Sequence, residues 1–325
     1  MTHLTYLEAA VVGLVQGISE MFPVSSLGHS VLIPALLGGQ WARDLNVAGS
    51  KSPYLAFVVG LHVATALALL IYFWRDWVRI IGGFLSSIRD RRVDTADQRL
   101  AWMIILATIP VGLVGAVFQT KFQTLFGKPV LAGIFLTVNG VILIAGERFR
   151  GRASVRADAV AARDREGAVL VAAGRHGAGG HALQQRERAV AVTSDQRLAA
   201  MGYRQAVIIG SAQILALLAG ISRDGVTMVA GMARGLSRED AARFAFLLAT
   251  PVILAAGALK LPELAGPLSH GIRGQILVGS LLAGVAAYLS VRFLLRYLRS
   301  RTLTPFGIYC LVAGLACVIY LGVIK

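Results

Sequence analysis

The sequence predicts an all-α polytopic membrane protein with an inverted-topology repeat, each half being a re-entrant helical hairpin plus three transmembrane helices. Three observations support this prediction. The 325 residues are 56% hydrophobic and only 15% charged, which is too apolar for a soluble domain of this length. Several charge-free runs have the length of a bilayer core, while two other apolar segments are interrupted by polar and helix-breaking residues. The Lys and Arg residues gather on one side of the resulting topology.

The first half, residues 1–148, contains one broken apolar segment and three spans. The broken segment, 4–40, has Pro23 in its middle and several glycines after it. A hairpin of two half-helices fits this pattern better than one straight span, because a proline interrupts a helix. We expect the three spans at 53–75, 98–118 and 129–147. The first Lys or Arg is Arg43, so the basic start of a signal peptide is missing and the first segment is expected to stay in the mature protein.

The middle of the chain, residues 149–203, is rich in Arg, Ala and Gly and poor in aromatic residues. This composition predicts a flexible cytoplasmic loop. The second half, residues 204–325, then repeats the pattern of the first. Its own re-entrant hairpin, 204–234, contains interrupting glycines and a polar Ser-Arg-Asp cluster. Three further spans are expected at 238–258, 274–298 and 303–323.

The two broken segments share a local spacing. Gln16 lies nine residues before Ser25, and Gln213 lies nine residues before Ser222. A re-entrant hairpin returns to its own side of the membrane, so the three spans that follow it invert the second half. The two hairpins are therefore expected to enter the membrane from opposite faces.

The distribution of basic residues tests this topology. Of the 32 Lys and Arg residues, 24 fall on the side that holds the segments 76–97 and 148–203, and 7 fall on the opposite side. The remaining one is Arg223, inside the second hairpin. Since cytoplasmic loops are the basic ones, we expect these two segments in the cytoplasm and both termini outside. The net charge of +15 follows from this topology, so we expect no nucleic-acid partner.

The first hairpin carries an unusual set of polar residues, namely Gln16, Glu20, Ser25, Ser26, Gly28 and His29. Ionisable groups at membrane depth are costly and indicate function. Gln16 and Glu20 lie one helical turn apart and share a face. The serines form a turn whose backbone amides, with the start of the returning helix, are suited to bind an anion.

The second hairpin contributes Ser222, Arg223 and Gly225 at its own break. Arginine suits a phosphate because its guanidinium donates two parallel hydrogen bonds. Together the hairpins supply the groups that bind a phosphate and transfer it to a hydroxyl or to water. His62 lies inside a predicted span without an evident partner, so we interpret it as a packing residue.

These residues resemble the undecaprenyl-diphosphate phosphatase family, also called the bacitracin-resistance protein family. The first family motif has Glu or Gln, then three residues, then Glu, leading into Pro-Val-Ser-Ser-x-Gly-His; it is matched by Gln16, Glu20, Pro23, Val24, Ser25, Ser26, Gly28 and His29. The second, Pro-Gly-x-Ser-Arg-Ser-Gly-x-Thr, is matched by Gly220, Ser222, Arg223, Gly225 and Thr227. Two positions differ, since Ala219 replaces the proline and Asp224 replaces the serine after the arginine.

The resemblance implies an enzyme that hydrolyses undecaprenyl diphosphate to undecaprenyl phosphate and inorganic phosphate. Such an enzyme recycles the lipid carrier for peptidoglycan and other envelope polymers, and gives bacitracin resistance. The implied location is the bacterial inner membrane, with the active site facing the periplasm. A divalent cation, Mg²⁺ or Ca²⁺, is the implied cofactor. The implied partners are the polyprenyl diphosphate lipid and membrane lipids, and a homodimer is possible.

The resemblance also implies roles for individual residues. Ser26 is the nucleophile, Glu20 a base or metal-linked carboxylate, His29 an aid to proton transfer and Arg223 the clamp on the diphosphate. The residues expected to bind substrate phosphate are Gln16, Ser25, Gly28, Ser222, Gly225 and Thr227. A second family proposal makes His29 the nucleophile, and the sequence does not decide between the two. Asp224 is able to neutralise Arg223 in part, to join the metal site or to point away.

A transporter is the alternative function. Inverted repeats and broken helices are also features of transporters. A transporter or flippase for a phosphate-bearing lipid or an anion would use Glu20 as a coupling group. The proximity of Ser26 and His29 in the sequence, together with an arginine, favours covalent chemistry over translocation.

Overall fold

The computed structural model describes residues 4–45, 53–126, 128–172, 194–265 and 271–324, and the regular elements within these ranges are helices. Within the same ranges, five helices are long and apolar enough to cross a membrane, and the bent pair α4–α5 is a sixth candidate. The predicted all-α polytopic membrane class is confirmed. The elements in chain order are α1 (Tyr6–Met21), α2 (Ser26–Leu37), α3 (Gly39–Asp44), α4 (Pro53–Tyr72), α5 (Trp74–Asp90), α6 (Ala96–Phe126), α7 (Pro129–Ala172), α8 (Ser194–Ala199), α9 (Tyr203–Ser211), a 3-10 helix (Ala212–Leu217), α10 (Arg223–Ala233), α11 (Arg238–Ala265), α12 (Arg273–Leu298), α13 (Thr304–Ile319) and a π-helical turn (Tyr320–Ile324).

The first broken segment folds as two helices, α1 and α2, joined by a short turn at residues 22–25. Helix α1 begins with a capping box in which the Thr5 hydroxyl accepts from the Glu8 amide and the Glu8 carboxylate accepts from the Thr5 amide. It ends at Met21, two residues before Pro23, which cannot donate a helical hydrogen bond. Helices α1 and α2 line one narrow cleft together, so the segment turns back on itself.

The second broken segment is less regular than the first. Helix α9 tightens into the 3-10 helix, and the chain then turns through residues 218–222 before α10 starts at Arg223. Gly220 in this turn has φ 110°, a backbone conformation that favours glycine. The break therefore lies at the polar cluster, as it does in the first hairpin.

Two helices extend further than the sequence predicts. Helix α6 continues past the predicted end of its span at 118 as far as Phe126. Helix α7 continues from the predicted span 129–147 to Ala172, which corrects the predicted flexible loop over residues 149–172. These residues are rich in Ala and Arg, which have high helix propensity, so the composition is equally compatible with a helix. Residues 173–193 of the predicted loop lie outside the described residues.

Helix α5 leaves α4 at an angle of 83° across Phe73. It carries basic side chains together with a stripe of exposed apolar residues at alternating spacings of four and three: Trp74, Val78, Ile81, Leu85 and Ile88. An amphipathic helix that lies nearly perpendicular to a span is suited to the membrane surface. The predicted span at 53–75 is thus followed by a surface helix.

The short helix α8 is fixed to α5 and α11 by ion pairs. Asp195 is buried and bonds Arg79 Nη2 at 2.6 Å and Arg243 Nη2 at 2.8 Å. Arg197 bonds the buried Asp240 at 2.7 Å. The end of the predicted loop 149–203 is therefore a docked helix, because Asp195 pairs with arginines of α5 and α11 and Arg197 pairs with Asp240 of α11.

The hairpins of the two halves make matching helix contacts. A methyl group on Gly13 of α1 would lie 2.4 Å from the carbonyl oxygen of Gly279 on α12. A methyl group on Gly210 of α9 would lie 2.1 Å from the carbonyl oxygen of Ala107 on α6. Gly13 and Gly210 each lie twelve residues before the serine that caps the next helix of their hairpin. In each half, the first hairpin helix thus packs at a glycine against the second predicted span of the other half.

The last predicted spans of the two halves, α7 and α13, make reciprocal contacts. A methyl group on Gly140 of α7 would lie 2.6 Å from the Gly307 carbonyl oxygen, and one on Gly314 of α13 would lie 2.8 Å from the Gly133 carbonyl oxygen. Small residues allow this close backbone approach between membrane helices. Residue numbers rise along one helix as they fall along the other, so the pair is antiparallel.

Candidate active site

The two hairpins meet at a cavity of about 180 Å³. Both hairpins and three spans, α4, α6 and α11, contribute to its lining. The hairpins and α4 contribute all of its polar lining residues, whereas α6 and α11 contribute one valine each. The lining residues are Ser19, Glu20, Ser25, Ser26, Leu27, His62, Val111, Gln213, Ala216, Leu217, Ile221, Ser222, Arg223 and Val252.

Glu20 is the centre of the polar cluster. The residue is 7% exposed, and its Oε2 accepts hydrogen bonds from Gln16 Nε2 at 3.0 Å and from the Ser26 hydroxyl. Its Oε1 accepts from Arg223 Nη2 at 2.7 Å. The structure therefore brings together four residues that the sequence predicts for the site, although Arg223 lies 203 positions from Glu20.

The starts of two helices lie at this cavity. Ser26 is the first residue of α2, and Arg223 is the first residue of α10. The N-terminus of a helix carries a partial positive charge and amide donors that favour an anion. With Arg223, the two helix starts make the cavity a suitable site for the phosphates of a diphosphate.

Hydrogen bonds tie the two hairpin turns to each other. Ser25 Oγ accepts from the Gly220 amide at 3.1 Å. Asn139 on α7 bridges the turns, since its side-chain amide donates to the Pro23 carbonyl at 2.9 Å and its oxygen accepts from the Ser222 amide at 3.0 Å. These hydrogen bonds connect the two turns, and Asn139 is a structural residue whose partners the sequence does not reveal.

Two glycines predicted to bind phosphate have their amides engaged in helix caps. Ser25 Oγ accepts from the Gly28 amide at 3.2 Å, and Ser222 Oγ accepts from the Gly225 amide at 3.1 Å. Thr227 also acts locally, because its hydroxyl donates to the Arg223 carbonyl at 2.7 Å. These residues shape the turns, and direct phosphate binding by Gly28, Gly225 and Thr227 stays a prediction.

The glycines also set how closely the turns approach. A methyl group on Gly28 would lie 3.0 Å from Gly220 Cα, and one on Gly225 would lie 3.2 Å from Pro23 Cβ. Gly28 and Gly225 each lie three residues after their capping serine, while Gly220 and Pro23 each lie two residues before one. Gly28 of the first turn thus contacts the second turn, and Gly225 contacts the first turn at the equivalent position.

The two histidines of this region lie in different places. His62, interpreted from the sequence as a packing residue, lines the cavity, and its Nε2 lies 3.6 Å from Glu20 Oε2. His29, predicted to be catalytic, lines the narrow cleft between α1 and α2 and hydrogen-bonds Tyr309 on α13. The sequence could not reveal His62, because only the packing of α4 against α1 brings it to Glu20.

Asp224 is 1% exposed and does not line the cavity. Its Oδ1 lies 3.5 Å from Arg223 Nε, yet both of its carboxylate oxygens lack a hydrogen-bond partner among the described residues. Arg223 therefore has two neighbouring carboxylates. Glu20 lines the cavity, and Asp224 does not. Of the roles that the sequence left open for Asp224, the geometry favours partial neutralisation of Arg223.

The donor set accommodates a divalent cation only together with substrate. In the part of the chain that the structure describes, no group of three or more His, Cys, Asp and Glu side chains is placed to hold a metal. Mg²⁺ is commonly bound by one or two carboxylates plus substrate phosphates, with water completing its coordination. Glu20 supplies such a carboxylate at the cavity, so the residues fit a cation that shares the diphosphate.

Comparisons with known proteins indicate one family over nearly the whole chain. A family model described as bacitracin resistance protein BacA matches residues 9–316. The undecaprenyl-diphosphatase of Mycolicibacterium paratuberculosis is 58% identical over 320 residues, which cover 98% of this chain and 98% of that protein. Undecaprenyl-diphosphatase 2 of Frankia alni is 55% identical over 338 residues, covering 98% of each chain. Undecaprenyl-diphosphatase 2 of Burkholderia lata is 40% identical over 308 residues, covering 94% of this chain and 92% of that protein.

Proposed function

Because this chain belongs to the family of the bacitracin resistance protein BacA, we propose that it is an integral membrane undecaprenyl-diphosphatase. The reaction converts undecaprenyl diphosphate and water into undecaprenyl phosphate and inorganic phosphate, which recycles the lipid carrier for envelope polymers. One observation carries the proposal. Glu20 contacts both Ser26 and Arg223, so a nucleophile, its base and a phosphate-binding group meet at one carboxylate.

In the first step, Ser26 attacks the terminal phosphorus. The Ser26 proton passes to Glu20 Oε2, which already accepts the hydroxyl hydrogen bond. A bond forms between Ser26 Oγ and the terminal phosphorus, and the bridging P–O bond breaks with its electron pair leaving on undecaprenyl phosphate. Arg223 and the starts of α2 and α10 stabilise the charge that develops on the phosphoryl oxygens.

In the second step, water hydrolyses the phosphoserine. The water oxygen bonds to phosphorus, the P–Oγ bond breaks, and Ser26 Oγ regains a proton. The proton held by Glu20 after the first step leaves with the products. A divalent cation bound by Glu20 and the diphosphate oxygens would neutralise phosphate charge and polarise the phosphoryl group.

The proposed location is the bacterial inner membrane, with the site open to the periplasm and the basic segments in the cytoplasm. The excess of Lys and Arg on the side of α5, α7 and α8 supports this orientation. The reciprocal contacts between the halves support the proposed inverted repeat, because equivalent positions contact each other across the two hairpin turns.

Phosphate release from undecaprenyl diphosphate by the purified protein in detergent tests the proposal. The Ser26→Ala variant lacks the attacking hydroxyl, so we expect kcat to fall by at least about 10³-fold. The Arg223→Ala variant loses the guanidinium, and we expect a fall of about 10²–10³-fold. Chelation by EDTA should lower the wild-type rate, and added Mg²⁺ or Ca²⁺ should restore it.

The matched control is Thr108→Ala on α6, whose hydroxyl donates to the Ile104 carbonyl one turn earlier. This variant should keep the wild-type rate. An inactive wild-type protein, or Ser26 and Arg223 variants at the wild-type rate, would overturn the proposal. Movement of the lipid across proteoliposomes without phosphate release would instead support the alternative function as a flippase.

A further inference from the structure

A second recess, the lateral groove, lies between α4 and α12. Its volume is about 500 Å³, and its lining is mostly apolar. Most of the large apolar side chains in this lining are exposed, so the groove opens outwards towards the bilayer. The lining residues are Ala64, Leu67, Ala68, Ile71, Leu277, Ser280, Leu281, Gly284, Val285, Tyr288 and Leu289.

The lateral groove and the candidate active site lie on different sides of α4. His62 lines the active-site cavity, and Ala64 lines the lateral groove. Residues two apart on a helix are separated by about 200° around its axis. Helix α4 therefore stands between the groove and the reacting groups, and the groove is a separate feature of the molecule.

Helices α4 and α12 run in the same direction. A methyl group on Gly284 would lie 3.5 Å from the Ala64 carbonyl oxygen. Further along both helices, the ring centroids of Tyr72 and Tyr288 lie 5.6 Å apart. The positive charge of Arg292 also acts on Tyr72, the last residue of α4. The end of α4 and the C-terminal part of α12 therefore lie at the same end of the groove.

That end of the groove is basic. Beyond Tyr288, the groove face of α12 continues into three exposed arginines at spacings of four, four and three residues: Arg292, Arg296 and Arg299. Arg299 pairs with Glu239 at 2.9 Å. Arg292 and Arg296 form no hydrogen bond or ion pair with another described residue. Two unpaired positive charges thus lie just past the apolar lining.

The lateral groove has the length of one lipid leaflet. Leu277 and Leu289 lie 12 residues apart on α12, which corresponds to about 18 Å at the rise of an α-helix. The hydrocarbon core of a bilayer is about 30 Å thick, so one leaflet contributes about 15 Å. Acyl chains that fill the groove would therefore bring their headgroup to Arg292 and Arg296.

We propose that the lateral groove binds an anionic phospholipid of the cytoplasmic leaflet, with its acyl chains along α4 and α12 and its phosphate at Arg292 and Arg296. Basic pockets between spans on the cytoplasmic side are suited to such headgroups. This site does not depend on the proposed phosphatase reaction, and the proposed orientation enters only in naming the leaflet.

The charge at the end of the groove disfavours a second copy of the chain as its occupant. A two-fold dimer through the groove, with its axis along the membrane normal, would bring the same arginines of both copies to one end of the interface. Like charges placed opposite each other weaken such a contact. A lipid phosphate would instead compensate the charges of Arg292 and Arg296.

Binding of fluorescent dioleoyl phosphatidylglycerol to the purified, delipidated protein in a neutral detergent tests the proposal. The wild type should bind this lipid about 10-fold more tightly than dioleoyl phosphatidylcholine, whose headgroup has no net charge. The double variant Arg292→Gln/Arg296→Gln should weaken phosphatidylglycerol binding by about 10–30-fold. Lysine at both positions should retain most of the affinity, because the charge remains. Glycerol phosphate alone should not displace the lipid, because it lacks the chains.

A second variant tests the apolar part of the groove. Gly284→Leu should fill it, and a methyl group at this position makes only an ordinary contact. We expect phosphatidylglycerol binding to weaken by about 10-fold. The matched controls are Gly112→Leu, where a methyl group would contact nothing within 4 Å, and Arg92→Gln/Arg148→Gln, which removes two exposed arginines elsewhere. Both controls should bind the lipid like the wild type.

Four results would overturn the proposal: an arginine double variant with wild-type affinity, a control pair that loses as much affinity, equal binding of phosphatidylcholine, or tighter binding of undecaprenyl phosphate. A dimer of the delipidated protein that Gly284→Leu dissociates, measured by light scattering, would identify a second copy as the occupant instead. A protein that binds phosphatidylglycerol as expected but releases no phosphate would retain this site and overturn only the proposed function.

Discussion

Ser25 combines two side-chain hydrogen bonds with an unfavourable backbone conformation. It caps α2, it accepts from an amide of the other hairpin, and its backbone adopts φ 67°. Ser222, its counterpart in the second hairpin, caps α10 with an ordinary φ of −83°. The strain therefore belongs to the first turn alone, where Ser26 is presented to Glu20.

Substitutions at Ser25 should separate strain from hydrogen bonding. Ser25→Ala loses the hydrogen bonds and keeps the left-handed backbone, whereas Ser25→Gly loses the same bonds and relieves the backbone. We expect the alanine variant to be less stable than the glycine variant by about 1–2 kcal/mol, measured by thermal unfolding in detergent. At Ser222 the same pair should differ by less than about 1 kcal/mol. Equal stability differences between the alanine and glycine variants at the two positions would contradict backbone strain at Ser25.

Individual residues of the site were predictable where the chemistry is local. Gln16, Glu20, Ser26 and Arg223 stand out because they are polar groups in apolar segments, and the structure places them together. The environment of His62 was not predictable, since nothing in the sequence states which face of α4 packs against α1. The sequence could not show either that a tyrosine of α13 engages His29.

At the scale of helices, close backbone contacts fix where the hairpins sit. Helix α1 packs closely on α12 at its glycines, and a methyl group on Gly17 would lie 2.3 Å from the Ala283 carbonyl oxygen and 2.7 Å from Ala286 Cβ. Glu20 lies less than one turn further along α1. The position of the Glu20 carboxylate therefore depends on a glycine that does not line the cavity.

The variant Gly17→Ala should move α1 away from α12 and displace Glu20. Overpacking of this kind costs about 1–3 kcal/mol, so we expect a lower unfolding temperature and a lower kcat. Gly112→Ala on α6 is the matched control, because a methyl group there would contact nothing within 4 Å. That change should stabilise the protein by up to about 1 kcal/mol through helix propensity. A Gly17→Ala variant as stable and active as the wild type would refute the contact.

The limits of prediction at this scale follow from composition. Charge-free runs locate spans because only apolar residues suit the bilayer core. The same reasoning says little about water-exposed segments, where Ala and Arg permit either a helix or a disordered chain. The extension of α7 and the docking of α8 were missed for this reason.

At the scale of the molecule, the contacts indicate a two-fold relation between the halves. The antiparallel helices α7 and α13 exchange equivalent contacts, as elements across a two-fold axis do. An axis relating two antiparallel helices lies perpendicular to them, and helices that cross the bilayer place that axis in the membrane plane. This is the relation expected of inverted repeats, and it supports the proposed topology.

Cysteine labelling tests the topology directly. Cys310 and Cys317 are buried, and serine at both positions gives a background without thiols. In this background, Arg91→Cys and Arg148→Cys should be shielded from a membrane-impermeant maleimide added to intact cells. The variants Arg43→Cys and Lys128→Cys should react with it. All four parent residues are exposed, so labelling of both pairs from one side would contradict the inverted repeat.

The ion pair between Glu20 and Arg223 has a consequence for turnover. Arg223 Nη2 already bonds a carboxylate oxygen of Glu20 at 2.7 Å, so a phosphate that binds this nitrogen would compete with Glu20. In the proposed mechanism, Glu20 would compete with inorganic phosphate for Arg223 as this product leaves. This competition would lower the affinity of the enzyme for inorganic phosphate. Free phosphate is therefore expected to be a poor inhibitor.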